Sequence, residues 1–490
     1  MESGNATKSL KEVLLGIEAE FFGNPEIKIK GIEYDSRKVR EGCAFVAIKG
    51  SKTDSHDLIK DIFFTKNVRA FIVEDLVKIP KYVFENSSFA KVKSTRENLG
   101  KIARNFYGQK TKVIGITGTK GKSTTVKIIA KSLSLLGRRC GILGSVWWKL
   151  TTPEASDTLK IMSESYFEIF AMEVTSISVV QKRIEGIDFE YGAFLGLGRD
   201  HLDFHKTMEN YFSAKLEFLK KAKKVVIFED EWGKKAVEIL KGEGKEVFSF
   251  QKSQIDYKDG KFLLHFNGER AMFRPKILGS FNGINYMTAY IILKDLGFSK
   301  DEICNTFEEI EGPPGRMEIV SYNPLSIVDY SHTPESLSSA IDECLKLKKD
   351  QNSRLFVVFG CGGERDRGKR PEMGRASLKA DIVIITSDNP RGEDPDEIIK
   401  DILSGIDEES IKSSKVFVEP DRKRAIFFAV ERANENDIIL VAGKGHEEYQ
   451  IIGNKVIPFS DRRTILEALE KKHKNIKYKN NKFEIKTDKL

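Results

Sequence analysis

Long apolar runs are missing from this sequence. No stretch approaches the ~18 consecutive apolar residues that a membrane-spanning helix needs, so neither an integral membrane protein nor a membrane partner is expected. The opening residues 1–16 have no basic segment leading into an apolar one, which argues against a secretory signal. Cysteine is scarce. The five in 490 residues (Cys43, Cys140, Cys304, Cys344 and Cys361) form no Cys-x-x-Cys pair. An odd, dispersed set argues for reduced thiols and a cytoplasmic protein. Internal repeats are absent, and the one biased stretch is lysine-rich. From Lys471 onward eight lysines face only Glu484 and Asp488, so +6 of the net charge of +8 sits in the last twenty residues. That reads as a solvated basic end, not a nucleic-acid surface.

What is present is organised around residues 115–125, GITGTKGKSTT. A short β-branched run, Lys112–Ile116, precedes it, and apolar residues at helical spacing follow as far as Gly137. Strand, glycine-rich turn and helix in that order make a phosphate loop. Gly118 and Gly121 let backbone N–H groups turn toward an anion, and the helix N-terminus adds partial positive charge. Lys122 can reach the β- and γ-phosphates, and the Ser123 hydroxyl can hold Mg²⁺. The wider GxxxxGK[ST] pattern fails at Ile116, leaving GxxGTxGKS.

A chain of this length holds about three domains on a ~150-residue norm. Residues 1–108 read as a small α/β binding module, with strands Ile27–Ile32, Cys43–Ile48 and Ala70–Val73. Two polar turns, Tyr34–Arg37 and Gly50–His56, are where a ligand or plain solvent would sit. Residues 109–315 alternate strands and helices, which argues a mostly parallel, doubly wound sheet. Ligands bind such sheets at the carboxyl ends of the strands. Glu173 closes one strand and suits either a Mg²⁺ ligand or a helix N-cap. His201 and His205 follow another, as metal ligands or as loop residues. Gly312-Pro313-Pro314-Gly315 marks a linker. Residues 316–490 repeat the alternation as a Rossmann-like sheet. Its strand ends lead into polar clusters at 329–332, 360–366, 388–391 and 443–447, which together make a site. Arg365 and Arg391 can each fork onto a carboxylate, and Asp388 and Glu447 can hold an ammonium. ATP plus an amino-acid pocket suggests carboxylate activation followed by amine attack.

These motifs resemble the Mur ligases end to end, most closely the E type, which adds the third residue of the cell-wall peptide to a UDP-linked precursor. The matching stretches are DSR (35–37), GTxGK[ST] (118–123), TTP (151–153), RDHLDFH (199–205), AK (214–215) and FNxxN (281–285). GRME (315–318), DYxHTP (329–334), GCGGxRDxGKRPxM (360–373), DNPR (388–391) and GKGHExYQ (443–450) complete the set.

The resemblance implies an ATP-dependent peptide ligase acting through an acyl phosphate, as a monomer in the cytoplasm. It implies that Gly118, Thr119, Lys120, Gly121, Lys122, Ser123 and Thr124 hold the ATP phosphates. Asn282, Asn285, Arg316, Asp329 and His332 would surround the rest of the nucleotide. Ser123, Glu173, His201 and Lys215 would ligate two Mg²⁺ ions, Lys215 as an N6-carboxylated side chain. With Lys122, the last three are the implied catalytic residues. The UDP-linked acceptor would meet Tyr34, Ser36, Ser51, Lys52, Thr53, Thr151, Thr152, Thr175, Gln181 and Arg183. Arg365, Asp388, Asn389, Pro390, Arg391, Gly443 and Glu447 would bind the incoming amino acid, lysine or diaminopimelate.

The departures cluster on the acceptor side. Lys120 replaces the usual asparagine of GTNGK, Leu150 the asparagine before TT, and Gly198 a polar residue before RDH. The usual EVSSHAL is Glu173–Val179 here, without its histidine. That pattern is similar to archaeal pseudomurein peptide ligases, whose acceptors lack muramic acid. A folylpolyglutamate-synthase-like ligase and a non-catalytic UDP-ligand binding protein are the rival readings. The first has no use for the N-terminal DSR module, and the second has none for Lys122, Glu173, His201 and Lys215.

Overall fold

A computed structural model describes residues 7–50, 53–145, 150–412 and 415–484. The protein is α/β throughout. It divides into two compact units, Met1–Gly198 with Met208–Lys252 and Thr288–Phe298, and Arg199–Thr207 with Ser253–Met287 and Ser299–Leu490.

The first unit holds two sheets. The smaller has the strand order Ala19–Phe22, Ser88–Val92, Ala70–Val73, Cys43–Val46, Gly31–Glu33, parallel except for its first strand. Its side chains alternate between two cores. Ala44, Val46 and Ile72 pack with Leu99 and Ile102, while Phe45, Phe71 and Phe89 pack with Ile62 and Phe63. That period of two is what a sheet covered on both faces requires. The single strand expected over Ile27–Ile32 is two. Lys28–Ile29 pairs with Lys8–Ser9, and the chain changes partner at Lys30, whose N–H bonds to Gly42 O (2.7 Å). Strands Ala19–Phe22 and Ser88–Val92 escaped the sequence because polar residues interrupt them.

The larger sheet is all parallel, ordered Glu246–Phe250, Ala222–Phe228, Phe189–Phe194, Lys112–Thr117, Ile169–Glu173, Cys140–Leu143. The winding direction reverses around Lys112–Thr117, so the connections at its carboxyl end part to leave a crevice. Helix Thr95–Tyr107 of the small module packs on helix Ala155–Glu164. Gly100 permits the close approach, because a Cβ there would lie 3.1 Å from Ala155 Cβ on that helix and 1.8 Å from Glu185 O beside it.

The second unit carries a six-stranded sheet ordered Glu318–Tyr322, Leu325–Asp329, Ile438–Ala442, Leu355–Phe359, Ile382–Ile385, Val416–Val418, with only the first strand antiparallel. All four polar clusters follow the carboxyl ends of its strands, as the alternation predicts. Three features lie outside the sequence reading. One is an antiparallel meander, Ile255–Lys258, Lys261–Phe266 and Glu269–Phe273. Another is the hairpin Tyr449–Ile452 with Lys455–Pro458. The third is helix Asp461–Glu484, which continues into the stretch expected to be a solvated tail. Buried Ile465, Ala468 and Leu469 anchor that helix, and Asp461 makes a bidentate pair with buried Arg422 (2.8 and 2.8 Å). Arg422 also donates to Ala442 O (2.8 Å). Among the described residues no helix is long and apolar enough to cross a membrane.

Candidate active site

Strand Lys112–Thr117 ends at Gly118, whose φ of +152° leaves room for Leu195 Cβ, 2.9 Å from where its own Cβ would stand. Gly121, at φ +85°, caps helix Lys122–Leu135 without a side chain. The loop is tied down from outside. The Thr119 hydroxyl accepts Gly198 N–H (2.9 Å), and Thr119 N–H bonds to Gly196 O (3.1 Å). Lys122 Nζ folds back to donate to Gly118 O (2.8 Å) and Thr119 O (3.1 Å). Lys120 is exposed on the turn, and Thr124 is buried.

Glu173 is buried and joins two parts of this unit. Its Oε1 accepts from Ser123 Oγ (2.9 Å), Ser145 N–H (2.9 Å) and Ser145 Oγ (3.1 Å). Its carbonyl accepts from Thr152 Oγ1 (3.0 Å). A hydroxyl and a carboxylate meeting at the first turn of the loop helix are hard oxygen donors of the kind Mg²⁺ takes, the remaining positions going to water and phosphate. Among the described residues no group of three or more His, Cys, Asp or Glu converges. Lys215 is also buried. Its Nζ donates to Gly118 O (3.0 Å) and lies 4.6 Å from the Tyr211 ring.

The acceptor candidates extend from Thr152. Its hydroxyl oxygen accepts Thr175 N–H (3.1 Å), and Thr175 Oγ1 caps the short helix Ser176–Val180. Buried Glu154 binds Arg96 (2.7 Å) and lies 3.4 Å from Arg183 Nε. Gln181 Oε1 is buried without a hydrogen-bond partner, a polar atom left for a ligand, while Arg183 Nε has the Glu154 carboxylate beside it but makes no hydrogen bond. Thr151 and Ser36 are half-buried, and Thr53 is exposed. Tyr34 is engaged, its hydroxyl donating to Asp157 Oδ2 (2.6 Å); burial and that carboxylate push its pKa far up. Asp35 grips Arg37 through two bonds (2.8 and 2.7 Å), which hold its carboxyl below the usual range. Ser51 and Lys52 lie outside the described residues.

In the second unit, the Asp329 carboxylate is consumed locally. It accepts Met317 N–H (2.8 Å), Ser331 N–H (2.9 Å) and the Ser331 hydroxyl. The turn it fixes lays Arg316 over the Tyr330 ring at 4.2 Å, with Arg316 Nε buried and unbonded. Burial pushes Tyr330 up to about 12. His332 donates from Nδ1 to Tyr330 O (2.9 Å), and desolvation and the Lys369 cation pull its pKa down. Buried Asn282 and Asn285 bond to each other (2.7 Å). His201 belongs to this unit, in left-handed backbone at φ 53°, with Nε2 3.6 Å from Asp200 Oδ2.

The strand ends at 388–391 and 443–447 form one charged cluster. Asp388 and Asn389 are buried, and Gly443, at φ +115°, leaves space for Asp388 Oδ2. Asn389 Nδ2 donates to Glu447 Oε2 (2.9 Å). Arg391, in left-handed backbone, donates from Nη1 to Gly363 O (2.8 Å), and Pro390 O packs where Gly363 has no side chain. Arg365 is exposed and engages none of these groups.

Comparison with known proteins identifies the family. Three family models cover the chain: Mur ligase family, catalytic domain, at residues 28–107; Mur ligase middle domain at 116–293; and Mur ligase, glutamate ligase domain, at 315–445. A UDP-N-acetylmuramoyl-L-alanyl-D-glutamate–2,6-diaminopimelate ligase of Clostridium perfringens is 36% identical, aligned over 94% of this chain and 100% of its own. The chain belongs to the Mur ligase family. It is accordingly an ATP-dependent amino-acid ligase. A relative of the same name from Fusobacterium nucleatum is 37% identical over 94% of this chain and 96% of its own. A solved structure of a ligase with that name is 29% identical, with a TM-score of 0.66 over 96% of this chain and 100% of that one.

Two residues that the structure bonds to candidate site residues of this Mur ligase were missed in the sequence. Ser145 places both its donors on Glu173, and nothing in the apolar strand before it signals that. Lys444 lies inside the GKGHE motif, where a lysine between two assigned residues was the available clue.

Proposed function

We propose that this Mur ligase joins meso-diaminopimelate to a UDP-N-acetylmuramoyl-L-alanyl-D-glutamate acceptor. The observation that carries the reading is Glu173, whose carboxylate meets the phosphate-loop serine while its carbonyl holds Thr152 at the start of the acceptor strip. The relatives' names supply the substrate pair. A carboxylate oxygen of the acceptor's glutamate attacks the γ-phosphorus of ATP, the bond to the β-bridging oxygen breaks, and ADP leaves. The amine nitrogen then attacks the acyl carbon, loses a proton to solvent, and inorganic phosphate departs with the carbon–oxygen bond.

Lys122 and the Gly118–Thr124 amides stabilise charge on the transferring phosphoryl group. Mg²⁺ held by Ser123 and Glu173 would supply further neutralisation, and an N6-carboxylated Lys215 is the proposed ligand of a second ion. Thr152, Thr175, Gln181 and Arg183 orient the acceptor, with Ser36 and Thr53 toward its UDP end. Asn282, Asn285 and Arg316 receive the nucleoside. Asp388 and Glu447 hold the amino acid's ammonium and Arg391 its second carboxylate. The protein acts in the cytoplasm as a monomer.

The test is ATP-dependent phosphate release with the UDP-linked dipeptide, with diaminopimelate, lysine, alanine and glutamate each offered in turn. Release with diaminopimelate alone is the expected result, abolished by Lys122→Ala. Release with lysine instead would replace the proposed amino acid. A second acceptor reading is favoured by exposed Leu150 and by Ile177, which occupies the place of the absent histidine. Silence with every amino acid, from protein that still binds ATP, would move the acceptor to a UDP-linked peptide without muramic acid.

A further inference from the structure

Lys444 is fully buried, and a buried ammonium persists only where anions and hydrogen-bond acceptors surround it. Its Nζ donates to Glu447 Oε2 (2.9 Å) and Asn389 Oδ1 (3.1 Å) and lies 3.8 Å from Asp388 Oδ1. Asn389 closes the ring by donating from Nδ2 to the same Glu447 oxygen (2.9 Å), and its Oδ1 also accepts Ile451 N–H (2.9 Å). Two donors on Oδ1 fix which way the amide faces. The ring therefore locks the loop after Ile382–Ile385 to the loop after Ile438–Ala442, across the intervening strand Leu355–Phe359.

Asn389 was expected to touch the amino acid, yet its acceptor and one of its donors are committed inside the protein. The acidic pair expected to grip the ammonium already contains a cation. Two carboxylates and one ammonium leave a single negative charge, which matches one substrate ammonium. We infer that Lys444 is a positioning residue for the amino-acid substrate, a resident cation that fixes Asn389 and Glu447 and leaves Asp388 and the free Glu447 oxygen to receive the incoming ammonium. This rests on the reading that these loops hold the amino acid.

The test compares Lys444→Met, Lys444→Arg and Asp388→Ala in the full-length chain by steady-state phosphate release and thermal unfolding. Loss of charge-assisted bonds predicts that Lys444→Met raises the amino-acid KM about 30-fold while the ATP KM stays within about twofold. Lys444→Arg, which keeps the charge, is expected to recover part of that loss, and it carries the test by itself if Lys444→Met does not fold. ATP and amino-acid KM values raised together in the arginine variant overturn the inference, as does an unchanged amino-acid KM in Lys444→Met. Asp388→Ala separates the two layers. If it leaves the amino-acid KM unchanged, the assignment of the pocket fails. If it raises that KM and Lys444→Met does not, only the role of Lys444 fails.

Discussion

At the phosphate loop, the groups proposed to face an anion come from seven consecutive residues, Gly118–Thr124, and most are backbone N–H donors in a turn set by Gly118 and Gly121. At the edge of the C-terminal sheet, the groups are charged side chains drawn from residues as far apart as Asp388 and Glu447, held by bonds among themselves. The first arrangement is preorganised by local backbone conformation. The second is preorganised by a network, and removing one member leaves others buried and unpaired. A backbone cradle tolerates side-chain change except at the lysine and the ion ligands, whereas a network transmits it.

Five changes probe that contrast, in falling order of expected effect. Lys122→Ala removes the cradle's one reaching cation and should lower the rate of phosphate release about 1,000-fold; retention of a tenth of the rate would mean the backbone suffices. Asp388→Ala should raise the amino-acid KM about 100-fold with the ATP KM steady, and a parallel rise in both would show that the two sites are not independent. Gly100→Ala forces a Cβ onto Glu185 O and should cost the first unit about 2 kcal/mol in chemical denaturation. Asp437→Asn acts in the second unit and should cost about 1 kcal/mol at neutral pH.

Burial raises the Asp437 pKa, but Arg354 and the Asn434 and Arg354 N–H groups outweigh it and hold the carboxyl below its ordinary value. A depressed pKa gives stability that is complete above the unfolded value of about 4 and is lost as pH falls through the folded one. The difference between wild type and Asp437→Asn should therefore close in acid, as urea unfolding at a series of pH values would reveal. Tyr34→Phe deletes one hydrogen bond to Asp157 and should cost about 1 kcal/mol or less. A larger loss, or a raised acceptor KM, would give Tyr34 a further role.

The same contrast explains what could be read from the chain. The phosphate loop, both doubly wound sheets and the polar edge of the second were legible, because local spacing writes a strand, a turn and a helix directly into the sequence. The residue types at the edge proposed to hold the amino acid were legible too. Their pairings were not: nothing in Asp388–Arg391 says that Asn389 is bonded to a lysine 55 residues later. The meander at 255–273 and the hairpin at 449–458 were invisible because their strands are short and partly exposed, so apolar alternation is diluted. Helix Asp461–Glu484 was obscured by its lysines, although Ile465, Ala468 and Leu469 carry its buried stripe.

The order of strands also sets a timetable for synthesis. The larger sheet of the first unit starts with its central strand, Lys112–Thr117, and apart from Cys140–Leu143, which waits for Ile169–Glu173, each later strand emerging from the ribosome finds a neighbour already made. The C-terminal sheet is filled in the opposite sense. Its central slot, between Leu325–Asp329 and Leu355–Phe359, belongs to Ile438–Ala442, and buried Arg422 has no counter-ion until Asp461 has been made. A nascent chain stopped between Phe359 and Ile438 carries a split sheet with open strand edges, and one stopped between Arg422 and Asp461 carries an unneutralised guanidinium. Chaperone demand and proteolytic loss during translation should therefore concentrate in the last third of the chain.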